Sequence, residues 1–179
     1  MRNRAVGYAI AVLALAAAGV AAGRWVSGEA LAGRRTPASL PPSDLVVGTQ
    51  FPDTPLVDSA GATIPSAQLF VQGGRVVVLI DPHCPSCTEV SKRWQQSIAA
   101  GAILPELVVG ISGAGSDEIE AYRKAHGLAF AVYRDAAGRF NGHVHPYEFV
   151  VGAAGIIRQT SEGATAQLDT ERIPGDLKP

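Results

Sequence analysis

Val76-Val77-Val78-Leu79-Ile80 is a five-residue apolar run, mostly β-branched, with no polar position inside it. Such a run predicts a strand buried on both faces. The period then changes. Cys87, Val90, Trp94 and Ile98 recur at steps of three and four, with Glu89, Lys92, Arg93 and Gln96 between them. This spacing predicts a helix over 85–100 with one inward face, closed by Gly101. Residues 107–111 read as a second buried strand. A second helix starts from Ser116 as its N-cap, with Asp117 and Glu118 in the first turn. Arg123, Lys124 and His126 fill its last turn and Gly127 ends it, as capping and the helix dipole favour. Residues 129–133 alternate as a strand. Residues 147–151 and 156–159 flank Gly152-Ala153-Ala154-Gly155 as a hairpin. Upstream, 45–47 and 51–57 read as short edge strands or extended chain, separated from the first buried strand by a turn at Asp58-Ser59-Ala60-Gly61. After Gly163 the pattern fades, and 166–179 reads as a weak helix or a loose tail.

Strand, helix, strand, helix, strand and hairpin make a mixed α/β sandwich, a central sheet flanked by helices. The crossover through the first helix makes its two strands parallel, with a right-handed connection. The domain is expected at 44–163, followed by a tail at 164–179. Residues 24–43 read as a linker, with Pro37, Pro41 and Pro42 among Gly and Ser and no sustained hydrophobic period.

Residues 1–23 read as a targeting or anchoring segment. Arg2 and Arg4 precede an uncharged stretch over 5–23, which as a helix spans roughly 28 Å, close to the hydrocarbon thickness of a bilayer. The run exceeds a typical signal-peptide core and reads as an uncleaved N-terminal membrane helix, with Trp25 an interface anchor or linker residue. The alternative is a cleaved signal peptide, since Val20-Ala21-Ala22 before Gly23 resembles a cleavage site. Arg24, Arg34 and Arg35 on the far flank leave the positive-inside rule undecided; the short N-terminal tail and the likeness to export signals place the domain outside the cytoplasm.

The chain has 179 residues and a formal charge of −1. Five Arg against one Glu give residues 1–43 a net +4, while ten Lys and Arg against fifteen Asp and Glu leave 44–179 at −5. A mildly acidic domain without a basic stripe argues against nucleic-acid binding.

Cys84 and Cys87 are the only cysteines. They stand in Asp81-Pro82-His83-Cys84-Pro85-Ser86-Cys87, between the buried strand and the helix. A CxxC at a strand-to-helix turn is the layout of a dithiol–disulfide redox site. Cys84 falls at the helix N-terminus, where free N–H groups and the dipole favour a thiolate. Pro85 suits the first helical position. Cys87, one turn on, faces the core beside Val90. Cys84 is thus the expected attacking thiol and Cys87 the resolving one. The competing explanations are a purely structural bridge, which would rigidify little across so short a loop, and half a zinc site. A zinc site wants four ligands, and no second cysteine pair exists to supply them, which leaves His83, His143 and His145 as the remaining candidates. His83 adjoins the nucleophile, as a stabiliser of its thiolate or as an exposed turn residue. His143 and His145 read as a polar loop or, with Cys84 and Cys87, as ligands of a copper-binding, metallochaperone-like module. Trp94 reads as core filler. Glu148 reads as a solvated strand position or as a proton shuttle.

From Val47 to Gln159 the chain resembles the thioredoxin superfamily, in particular its membrane-anchored TlpA/ResA-like and MauD-like extracytoplasmic branch. The residues that carry the resemblance are Gly48-Thr49-Gln50-Phe51-Pro52, the apolar run before Cys84-Pro85-Ser86-Cys87, His145-Pro146 before Tyr147-Glu148-Phe149-Val150-Val151, and Gly155-Ile156-Ile157. The resemblance implies a thioredoxin-like fold and a thiol–disulfide oxidoreductase, a reductase by preference, with a redox-active Cys84–Cys87 disulfide and no other cofactor. It implies that Pro146 is cis, packs on the CxxC and keeps metal from the thiols. The backbone beside Pro146 then docks substrate, with His83, Pro85, Ser86 and His145 around it. The implied partners are disulfide- or thiol-bearing extracytoplasmic proteins and a membrane dithiol electron donor. The chain departs from the family where Val78 and Val90 occupy the two places in which relatives carry an acid for the second cysteine. Glu148, Asp81, Glu89 or water are left to accept that proton.

Overall fold

In the computed structural model, the described residues are 45–143, 145–163, 167–168 and 172–177. The expected N-terminal helix, the linker and much of the tail lie outside them. Among the described residues no helix is long and apolar enough to cross a membrane.

The elements are β1 (Pro55–Val57), β2 (Thr63–Pro65), β3 (Arg75–Leu79), α1 (Pro85–Ala99), β4 (Val108–Ser112), α2 (Ser116–His126), β5 (Ala131–Asp135), β6 (Tyr147–Val151), β7 (Ile157–Glu162) and the short α3 (Ile173–Asp176). The seven strands form one sheet in the order β2-β1-β5-β4-β3-β6-β7. β3, β4 and β5 run parallel. β6 pairs antiparallel with β3, aligning Val78 with Glu148. The sheet is mixed, as expected, and the crossover through α1 is parallel.

The apolar run of β3 is central because both its faces are covered. Val76, Val78 and Ile80 enter one core with Cys87, Val90 and Trp94 of α1 and Ile119 and Tyr122 of α2. Val77 and Leu79 enter the other, with Phe51, Phe70, Phe140 and Phe149. Side-chain alternation in a strand sends one register to each core. Both long helices therefore pack on one face, and residues from loops and short turns close the other.

Several boundaries differ from the sequence reading. Residues 45–47 form turns, and β1 is an inner strand because β2, which has only one polar–apolar alternation, pairs outside it. β5 begins two residues later than its alternation suggests. The cap of α2 is Gly115, and Ser116 is already helical. There the Glu118 carboxylate accepts the Gly115 N–H at 2.9 Å, the half of a capping box that an acid at the third helical position supplies, while glycine has no side chain to supply the other half. The end of α2 is as expected, with Gly127 left-handed at φ 59°. In the tail, Leu168 and Ile173 are buried against the α1 face. Gly74 lets the tail approach, since a Cβ there would stand 2.6 Å from the Val151 carbonyl and 2.8 Å from Leu177 Cα.

Glu148 requires a correction. It is fully buried, not solvated. Its carboxylate accepts one bond from Trp94 Nε1 at 2.6 Å and one from Arg93 at 2.7 Å. Trp94 is therefore core filler with a hydrogen-bonding task. A buried carboxylate is tolerated when it is paired and hydrogen-bonded. The pair ties the centre of α1 to β6 and so fixes how the CxxC end of the helix meets the Pro146 loop. Arg93→Met is expected to cost about 2–3 kcal/mol in urea unfolding, because it strands the carboxylate. Adding Glu148→Gln, which still accepts from Trp94 but carries no charge, should recover most of that loss. A single-variant cost near zero would show that the carboxylate does not depend on Arg93.

Candidate active site at the start of the first long helix

The site is built by the end of β3, the turn after it, the first turn of α1 and the loop before β6. Cys84 is the N-cap of α1, with extended backbone, and Pro85 follows at the first helical position. The Cys84 carbonyl and Sγ both accept from the Cys87 N–H, at 3.1 Å and 3.3 Å. The sulfur thus sits where unpaired helix N–H groups and the dipole support negative charge. Cys84 is half-buried and Cys87 has no exposed surface; both thiols are free.

The loop before β6 closes over this turn. The His145–Pro146 bond is cis, as the resemblance implies. Cys84 Sγ donates to the His145 carbonyl at 3.7 Å. Pro146 is buried, His145 and Ser86 are half-buried, and Pro85 is exposed. The structure therefore gathers Cys84, Cys87, Pro85, Ser86, His145 and Pro146 in one place, with Cys87 and Pro146 buried behind the others.

His83 reaches a partner the sequence did not suggest. Its Nε2 lies 3.1 Å from Glu118 Oε1, with the imidazole 75% and the carboxylate 51% exposed. Bonds from the Gly115 N–H and from His83 hold the Glu118 carboxyl below its ordinary range. The first turns of α1 and α2 are thereby linked beside Cys84. Only the capping pattern at the start of α2 hints at this in the sequence. His143 packs against Phe140, which removes it from a loop surface. Among the described residues, no three His, Cys, Asp or Glu side chains converge to hold a metal ion.

Behind Cys87 the surroundings are mostly apolar. Burial pushes its thiol well up, and the Cys84 sulfur and the Asp81 charge push the same way; the Asp81 N–H, which donates to Cys87 Sγ at 3.4 Å, opposes them. From α2, the Tyr122 hydroxyl bonds Ser91 Oγ at 2.9 Å. Ser91 is one turn past Cys87 on the same helix, and nothing but that spacing announces it. Tyr122 too is pushed up, chiefly by burial, so it stays a neutral phenol.

The raised Cys87 thiol has a consequence for stability. Folded, reduced protein keeps this proton where the unfolded chain, with an ordinary value of 9.0, releases it. The contribution is intact below about pH 9 and is lost as pH rises, by at most about 1.4 kcal/mol per pH unit. The urea midpoint of the reduced protein should therefore fall between about pH 8.5 and 10 more steeply than that of Cys87→Ala. Parallel pH dependences would show that the buried thiol titrates normally.

No family model matches the chain, and no curated protein matches it. Solved structures do. A candidate protein disulfide isomerase from Bacteroides thetaiotaomicron is 15% identical, with a TM-score of 0.59 over 74% of this chain and 90% of that one. A secreted Mycobacterium tuberculosis disulfide oxidoreductase, homologous to E. coli DsbE, is 22% identical, with a TM-score of 0.52 over 70% and 94%. A thiol peroxidase from Chromobacterium violaceum is 16% identical, with a TM-score of 0.54 over 73% and 84%. These neighbours, the sheet order, the CxxC at the start of α1 and the cis-proline facing it agree on one architecture: the chain has a thioredoxin-like fold.

Proposed function

We propose that the protein is an extracytoplasmic thiol–disulfide oxidoreductase that acts as a reductase of partner proteins. The observation that carries this is the polarity of the pair: Cys84 reaches solvent at a helix N-terminus, while Cys87 is buried one turn behind it. Only the first sulfur can meet a foreign disulfide, and only the second can resolve the product. Cys84 attacks, a mixed disulfide forms, and Cys87 displaces the partner's sulfur to leave a Cys84–Cys87 disulfide. A membrane dithiol donor would then restore the thiols. The cis-Pro146 loop, with the His145 carbonyl on Cys84 Sγ, is where an incoming chain would lie. The secreted neighbour and the uncharged N-terminal stretch support placing the domain outside the cytoplasm, tethered by residues 1–23. A reductase of this kind would serve a maturation pathway, for example cytochrome assembly or a disulfide-bearing periplasmic enzyme. The copper-binding reading gains no supporting observation, because His143 packs into the core and the described residues assemble no ligand set.

Cys87→Ser is expected to capture partner proteins as mixed disulfides on Cys84, visible as reductant-sensitive adducts on non-reducing gels and identified by mass spectrometry. Cys84→Ser should capture none. Equal capture by both variants, or turnover of a protein disulfide that survives Cys84→Ser, would sink the reading.

A further inference from the structure

Resolution requires Cys87 to lose a proton that its surroundings hold tightly. The neighbours that pack directly on it from sheet and helix offer no base. Val78 and Val90 share its apolar core. Glu148, on the same face of the sheet, is committed to Arg93 and Trp94. Glu89 is exposed and paired with Lys92 at 3.0 Å. From α2, Tyr122 is bound to Ser91 and remains protonated. The Glu118–His83 pair lies at the surface. From the loop before β6, the His145 carbonyl serves Cys84, and the half-buried His145 imidazole, whose Nδ1 has no hydrogen-bond partner among the described residues, makes no bond to Cys87 and does not act on its proton.

Asp81 is different. It lies in the turn between β3 and α1, and its own N–H donates to Cys87 Sγ at 3.4 Å. Its Oδ1 accepts the His83 N–H at 2.8 Å, so the carboxylate is held within the short turn that leads into Cys84 and the helix bearing Cys87. Asp81 is half-buried and can therefore pass a proton on to solvent. Its charge also acts on Cys87.

Resting on the dithiol-exchange reading above, we propose that the Asp81 carboxylate accepts the Cys87 proton in the step that releases the partner. The Cys87 S–H bond breaks and its proton goes to Asp81. The Cys87 sulfur forms a bond to Cys84 Sγ. The Cys84–partner S–S bond breaks, and its electron pair leaves on the partner sulfur, which takes up a proton from Asp81 or solvent. The two cysteines are oxidised by two electrons, and the partner disulfide is reduced to two thiols.

Asp81→Asn separates this role from a structural one, because its amide oxygen still accepts the His83 N–H. Removing the charge lowers the Cys87 pKa, yet removing the acceptor slows release, so two measurements should move in opposite directions. In a Cys84→Ala background, alkylation of Cys87 by iodoacetamide should shift to lower pH when Asp81→Asn is added. With both cysteines present, a chromogenic aryl disulfide (dithiobis-nitrobenzoate) reports two phases: attack by Cys84, then release by Cys87. Around pH 6 to 7, Asp81→Asn should slow the second phase about tenfold or more and leave the first largely unchanged. The gap should close toward about pH 9, as hydroxide takes over the proton. Asp81→Glu, which keeps a carboxylate, should restore much of the rate. A second phase as fast as wild type at pH 6 to 7, or slowed equally at every pH, would overturn the proposal. A missing first phase in the wild type would instead overturn the exchange reading on which it rests.

Discussion

The site depends on a titratable sulfur placed inside a packed core. Cys87 has no exposed surface and shares its cluster with Val78, Val90 and Trp94. Burial favours the neutral thiol, so Cys87 is a poor nucleophile until a disulfide stands next to it and a base takes its proton. Cys84, three residues earlier, has the opposite environment: a helix N-terminus, free N–H groups and an open side. The sequence separation is minimal, yet the pitch of one helical turn gives the two thiols different surroundings.

The rest of the fold keeps that contrast in place. β3 is buried on both faces, so the turn after it is fixed to the middle of the sheet. The parallel crossover sends α1 back over the same face, and the Arg93–Glu148–Trp94 cluster ties the body of the helix to β6. β6 in turn delivers Pro146 and the His145 carbonyl to Cys84. An ion pair at the middle of α1, about two and a half turns from Cys84, is thus part of how the two halves of the site meet. Its burial also makes it sensitive, since losing Arg93 leaves a buried carboxylate charge with only the Trp94 N–H, and losing Glu148 leaves that N–H buried without its acceptor.

The central features were legible in the sequence because each rests on a local signal. The apolar run of β3, the 3–4 spacing of α1, proline after an N-cap cysteine and glycine after α2 all act within a few residues. The features that were missed depend on contacts between distant segments. Glu148 in the run Tyr147–Val151 looks like an outward polar position; only the pairing of β6 with β3 and the crossing of α1 reveal that Arg93 and Trp94 wait for it. β2 shows almost no pattern because an edge strand of three residues needs little. The link from His83 to Glu118 likewise needs the two helix starts to be neighbours in space. Of the acids left open as partners of Cys87, the structure pairs Glu148 and Glu89 with cations, while Asp81 is the one whose backbone N–H touches the sulfur and whose carboxylate stays in the turn beside it.

The most direct test of this polarity is differential alkylation of the reduced, folded protein near neutral pH, followed by peptide mass spectrometry. The account predicts that iodoacetamide modifies Cys84 at least about tenfold faster than Cys87, and that the difference vanishes in denaturant. Equal labelling of the two sulfurs in the folded protein would contradict it.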